Sequence, residues 1–132
     1  MKRTELREHI FKLLFGVEFN MPEELAEQIR LYFEQNGITG EKDQRYIAEK
    51  TEAVASRREE LDKLINVSST GWKTTRMNKA DLTVLRLAVY EMKQDEDVPV
   101  SVAINEAVEL AKRFGGEDSP SFINGVLAKI AD

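Results

Sequence analysis

The chain contains no cysteine and a single histidine in its 132 residues. Without cysteine, neither a disulfide framework nor a thiolate metal site can form. The histidine, His9, has no Glu-x-x-His partner, and the sequence carries no glycine-rich phosphate loop and no nucleophile–base arrangement. The residues therefore indicate no catalytic or metal-binding chemistry, and we predict that the protein holds no metal and no cofactor.

Long apolar runs are also missing, because charged residues interrupt every hydrophobic stretch, so no segment is predicted to span a membrane. The start, MKRTELREHIFKLLFG, has basic and then apolar residues, but Glu5 and Glu8 interrupt it and no small-residue cleavage site follows. We predict no signal peptide and a cytoplasmic location.

The net charge of −5 argues against indiscriminate binding to nucleic acids. Residues 1–16 differ from the rest, because four basic side chains outnumber Glu5 and Glu8 there. Lys2, Arg3 and Arg7 lie within two helical turns, with Arg3 and Arg7 spaced i, i+4 on one face. Composition alone favours a solvated helix end, but any contact with nucleic acid is expected to begin here.

Apolar residues recur at helical spacing along the chain and no segment alternates as a strand would, which predicts an all-α fold. Three amphipathic helices are expected in residues 1–66, the third of them long, from about Asp43 to Asn66. Three shorter and more apolar helices are expected in residues 78–131. Neither half could bury enough apolar area alone, so we predict one domain, residues 1–132, built of two packed three-helix bundles.

Local signals mark the helix ends in the second half. Asn78 with Asp81 three residues on is typical of a capped helix start. Pro99 is expected to open the next helix, and Gly115-Gly116 to end it. Ser119 followed by Pro120 predicts an N-cap with proline at the first helical position.

The strings DLTVLRLAVYEM, beginning at Asp81, and VPVSVAINEAVELAKRFGGEDSPSFINGVL, beginning at Val98, closely resemble the NusB family of bacterial transcription antitermination factors. LDKLI at Leu61–Ile65 and R-x-x-x-R-E ahead of LLF also fit the family. Residues 20–60 match it only in length and helical character. The resemblance implies the two-bundle architecture and a protein without enzymatic activity.

The resemblance also implies the partners. They are boxA RNA of nascent ribosomal transcripts, the small-subunit ribosomal protein that acts as NusE, and the antitermination complex of RNA polymerase. The implied RNA-binding residues are Lys2, Arg3, Arg7, Asp118 and Phe122. The implied partner-binding residues are Phe15 and Asp81.

Two departures from the family pattern predict weaker RNA binding or more dependence on the partner. The start is poor in arginine, and Ser69 stands where many relatives have an aromatic residue. Two other functions stay open: a protein–protein adaptor without RNA binding, and the non-catalytic NusB-like domain of a ribosomal RNA methyltransferase. The sequence also leaves open whether the chain forms a homodimer.

Overall fold

The computed structural model describes residues 1–17, 22–69, 71 and 73–132. These residues form helices and no strand, which confirms the all-α prediction. The seven α-helices are α1 Arg3–Val17, α2 Leu25–Gln35, α3 Glu41–Ser56, α4 Arg58–Ser68, α5 Lys79–Gln94, α6 Val100–Phe114 and α7 Ser119–Ala131. Short 3₁₀ turns lie at Pro22–Glu24 and Thr74–Arg76. The sequence also predicts that the first helix ends at Asn20-Met21-Pro22 and that a short helical turn lies at Trp72. Asn20, Met21 and Trp72 lie outside the described residues.

The chain forms two compact units, Met1–Ser56 and Arg57–Asp132. In the first, α1 packs against α3, and α2 packs against both. Helix α2 ends at Asn36-Gly37, a pair typical of a helix stop, and Gly37 adopts a φ of 64°, which glycine tolerates without a steric penalty. The apolar residues buried in this unit are Leu6, Ile10, Phe11, Leu13, Leu14, Leu25, Ile29, Ile38, Ile47 and Val54.

The predicted long helix from Asp43 to Asn66 is wrong, because the helix is interrupted at Arg57. Arg57 has φ −109° and ψ 17°, outside the helical region. The Ser56 hydroxyl donates to the Ala53 carbonyl at 3.0 Å, a side-chain bond that competes with helical pairing. The interruption was hard to predict because the apolar seam continues across it, with Val54 and Leu61 both buried.

The second unit contains four helices. Helices α5, α6 and α7 pack against one another, and α4 packs against α5 and α7. Helix α4 is further fixed by Asp62, whose carboxylate accepts two hydrogen bonds from Arg86 at 2.7 and 2.8 Å. The boundary between the units therefore precedes α4, whereas the sequence placed α4 in the N-terminal bundle. That the chain behaves as a single domain stays a prediction.

Helix α5 is apolar around most of its girth, as the sequence predicted. Its buried apolar residues are Leu82, Val84, Leu85, Leu87, Ala88 and Val89. None of the helices in the described parts of the chain is long and apolar enough to cross a membrane.

Candidate nucleic-acid interface

The basic start of the chain is held against α3. Lys2 and Arg3 are exposed, and the Arg3 guanidinium lies 5.3 Å from the centre of the Tyr46 ring. Arg3 Nη1 also donates a hydrogen bond to the Tyr46 hydroxyl at 3.3 Å. A cation over an aromatic face is attracted by the ring quadrupole, so Arg3 is positioned rather than freely solvated.

Arg7 does not lie on the surface, although its spacing from Arg3 predicted that it would. Its side chain is 2% exposed, so the prediction that it shares a surface patch with Arg3 is wrong. The reason is its place in α1, inside the buried face that includes Leu6, Ile10 and Phe11. The signal for this burial in the sequence was Phe11, an apolar residue four positions after Arg7 and so on the same side of the helix. The surface patch is reduced to Lys2 and Arg3, and a contact of Arg7 with RNA stays a prediction.

Phe15 is one of the exposed large apolar residues of the first unit, with 37% of its surface accessible. Its ring lies 5.9 Å from that of Phe11, centre to centre, and Phe11 is buried. An exposed aromatic side chain supported by a buried one is the kind of group that anchors a protein partner. Its predicted role in partner binding stays a prediction.

The second unit carries a cleft of about 460 Å³ between the start of α5 and the turn that joins α6 to α7. Its walls bring together three of the residues that the sequence analysis singled out, namely Asp81, Asp118 and Phe122. The remaining lining residues are Arg76, Met77, Asn78, Gly116, Glu117 and Ser119. Three carboxylates thus face one guanidinium, so this cleft suits hydrogen-bond donors and repels phosphate.

Asp81 is held at the base of α5 by Asn78. The Asp81 backbone N–H donates to the Asn78 side-chain oxygen at 2.8 Å, which confirms the predicted cap. Asp81 Oδ2 accepts from the Asn78 amide at 3.2 Å, while Oδ1 receives no hydrogen bond from any described residue. Asp81 is 8% exposed and its Oδ1 is buried, so the carboxylate lies within the cleft wall rather than on an open surface.

The turn between α6 and α7 sets the opposite wall. A side chain at Gly115 would place its Cβ 2.6 Å from Ser119 Cβ, so only glycine fits there. Ser119 was expected to cap α7, but the N-cap is Asp118, and the Ser119 hydroxyl instead accepts from the Gly116 N–H at 2.9 Å. The close turn leaves Asp118 exposed and Phe122 half-buried in the wall.

Ser69 lines a second, smaller groove of about 230 Å³ on the other side of Phe122. Its hydroxyl donates to the Ile65 carbonyl at 2.8 Å, and the residue is 6% exposed. Serine here leaves open a space that a larger side chain would fill. Phe122 is therefore reached from both grooves.

A lone histidine without a partner in the sequence predicts a solvated side chain, but His9 is half-buried in α1 and its Nδ1 lies 2.6 Å from the Tyr32 hydroxyl of α2. Burial, followed by the nearby Lys12, lowers the pKa of His9 below 6.5. Burial also raises the pKa of Tyr32 to about 12. Among the described residues, no group of three or more His, Cys, Asp or Glu side chains could hold a metal ion.

These features define a helical binding protein with a basic helix start and a polar cleft walled by an aromatic ring. The family model for NusB matches residues 4–132, and the chain belongs to the NusB family. It is 51% identical over 131 residues to the transcription antitermination protein NusB of Agathobacter rectalis, covering 99% of this chain and 100% of that protein. It is 47% identical to the corresponding protein of Lachnoclostridium phytofermentans over the whole of both chains.

The fold also matches those of solved structures. NusB of T. maritima superposes with a TM-score of 0.88 at 33% identity, covering 99% of this chain and 91% of that one. A chain from a structure of antitermination factors NusB and NusE in complex with double-stranded RNA gives a TM-score of 0.86, covering 98% and 95%. Its identity to this chain is 22%, so it shows the fold alone.

Proposed function

We propose that the protein is a transcription antitermination factor that pairs with the small-subunit ribosomal protein NusE and binds boxA RNA of nascent ribosomal transcripts. The observation that carries the proposal is the family match over residues 4–132. It is supported by full-length relatives named as transcription antitermination proteins, and by the shared fold of a NusB bound to NusE and RNA. On this proposal the protein acts in the cytoplasm, by binding and without catalysis.

RNA contacts are assigned to two places with different chemistry. Lys2 and Arg3 would bind phosphates, since guanidinium and ammonium groups pair with phosphate oxygens. The cleft at Asp118 and Phe122 would receive a base, because its aromatic wall offers a face on which a base can stack.

Partner contacts are assigned to Phe15 and Asp81. Phe15 supplies an exposed aromatic ring, and Asp81 supplies an acidic group in the first turn of α5. A partner with basic side chains would complement this acidic group. Asp81→Lys should therefore weaken binding of NusE, while helicity by circular dichroism is unchanged.

A protein–protein adaptor without RNA binding is the second candidate, and one observation favours it. Asp81, Glu117 and Asp118 make the cleft acidic, as a site for a basic peptide would be. Both candidates require a partner, so partner binding alone does not separate them.

A titration of boxA RNA separates the two candidates. The RNA is added to the protein alone, to NusE alone and to the pair, with a scrambled strand of equal length as the control. An antitermination factor should bind boxA more tightly than the scrambled strand, most clearly as the pair. Equal affinity of the pair and of NusE alone for boxA would favour the adaptor.

A further inference from the structure

Tyr46 of α3 occupies an unusual position between two cations. Its hydroxyl accepts a hydrogen bond from Arg3 Nη1 at 3.3 Å and another from Lys50 Nζ at 2.8 Å. Both cations also lie near its ring, with Arg3 at 5.3 Å and Lys50 at 4.8 Å from the ring centre. Arg3, Tyr46 and Lys50 all belong to the first unit and form what is called here the tyrosine cluster.

The two hydrogen bonds determine where the tyrosine hydrogen can go. A phenolic hydroxyl has one hydrogen to donate, and its oxygen accepts through its lone pairs. Because Arg3 and Lys50 already donate to that oxygen, the hydrogen must point to a different group. No described residue accepts it. The hydroxyl is half-buried, so its hydrogen is available to a ligand that reaches this surface.

Charge decides which acceptor fits. Lys50 is 6% exposed, so its ammonium is a fixed positive charge beside the hydroxyl, and Arg3 adds a second charge at the surface. Asp43, the acidic residue one turn before Tyr46, accepts a hydrogen bond from the Met1 ammonium at 3.3 Å. A donor flanked by two cations favours an anionic oxygen over a neutral one.

We propose that the tyrosine cluster binds one phosphate of the RNA, with the Tyr46 hydroxyl donating to a phosphate oxygen and Arg3 and Lys50 neutralising its charge. This inference rests on the proposed RNA-binding function. It adds α3 to the RNA surface, which the family resemblance placed only at the start of the chain and at the turn before α7.

The first test removes only the hydroxyl. Tyr46→Phe should bind boxA RNA about tenfold more weakly, as expected for loss of a hydrogen bond to a charged group. Its salt slope should not change, since no charge is lost, whereas Lys50→Gln should lower the slope by about 0.7. Tyr90→Phe is the matched control, because Tyr90 is also half-buried with a guanidinium, that of Arg57, 5.7 Å from its ring centre.

The second test locates the phosphate and does not depend on how stable the variant is. Neutral methylphosphonate groups replace the phosphates of the RNA one position at a time. One position should cost the wild-type protein about tenfold in affinity and cost Tyr46→Phe much less. The inference is overturned if Tyr46→Phe binds like the wild type, or if both proteins respond equally at every position. Failure of the wild-type pair to bind boxA RNA would instead overturn the proposed function.

Discussion

The two compact units present their polar groups in opposite ways. In the first, cations are held on an aromatic ring, with Arg3 and Lys50 both at Tyr46. In the second, the carboxylates of Asp81 and Asp118 line a cleft beside Phe122. The first arrangement attracts phosphate, while the second repels it and offers acceptors and an aromatic face instead.

On the proposed function, this difference explains how a chain with a net charge of −5 would bind RNA. Phosphate contacts supply affinity that does not depend on sequence, and base contacts supply discrimination. If the first unit supplies the phosphate contacts and the second the base contacts, few cations are needed. Substitutions in the two units should then differ in their effects on salt dependence and on specificity.

The largest effect is expected in the core of the second unit. Leu85 of α5 is fully buried, so Leu85→Ala should lower the free energy of unfolding by about 2–5 kcal/mol through loss of contacts and formation of a cavity. Urea unfolding followed by circular dichroism measures the loss. Hydrogen exchange then sharpens the comparison, because a single domain requires amides of α3 to lose protection together with those of α5. Unchanged protection in α3 would show that the units unfold separately.

The next effect belongs to the cleft. Phe122→Ala should weaken boxA binding by about 1–3 kcal/mol and leave the salt slope unchanged, because an aromatic side chain that stacks on a base carries no charge. Phe114→Ala is a suitable control, since Phe114 is also half-buried in the second unit but does not line the cleft. If Phe122 is only a packing residue of α7, thermal stability falls and the affinity of the folded protein does not.

A substitution in the basic start should change the salt slope, whereas Phe122→Ala should not. Arg3→Ala should weaken boxA and unrelated single strands by a similar factor and reduce the salt slope by about 0.7, because phosphates are the same in every sequence. The control is Arg30→Ala on α2, where an equally exposed arginine pairs with Glu27 and Glu34 of its own helix. A loss of specificity in Arg3→Ala would contradict the division of roles between the units.

The sequence predicted the helices well wherever local signals and apolar spacing agreed. Asn78 caps α5, Pro99 precedes α6 and Gly115 ends it, because each depends on short-range backbone chemistry. Arg57 shows the limit, since its backbone leaves the helical region without a glycine or a proline.

The site was less predictable, because its geometry depends on residues far apart in the sequence. Arg7 is buried by tertiary packing, which its spacing from Arg3 does not reveal. Asp81 meets Asp118 and Phe122 across a separation of some forty residues. Tyr46 contacts Arg3 across a separation of 43 residues, and it lies in the segment where the family resemblance was weakest.

A smaller effect is expected at the rim of the cleft. Asp118 is exposed, so its charge repels nearby phosphates across water. Asp118→Asn should tighten RNA binding about twofold at low salt, with the gain vanishing as salt is raised. Asp97→Asn, another exposed carboxylate of the second unit, should leave the affinity unchanged. Weaker binding in Asp118→Asn would mean that the carboxylate accepts a hydrogen bond from a base.

The smallest effect should be a pH dependence confined to the first unit. The pKa of His9 lies below 6.5 in the folded chain, because burial and Lys12 disfavour the imidazolium. Above pH 6.5 the histidine is neutral in both states, so its contribution to stability is fully present. As the pH falls through 6.5, the unfolded chain takes up the proton first, and stability is lost until the folded pKa is reached. Tyr32, with a pKa of about 12, does not titrate in this range.

Replacement of the histidine isolates this contribution from the carboxylates that also titrate in acid. His9→Gln keeps an amide that can hydrogen-bond to the Tyr32 hydroxyl but carries no titratable group. Urea unfolding of both proteins between about pH 8 and pH 6 should show a decline in wild-type stability toward the acid end that is absent from the variant. Parallel curves would show that His9 titrates normally in the folded chain. A wild type that gains stability toward acid would mean that the imidazolium, not the neutral ring, is the form bonded to Tyr32.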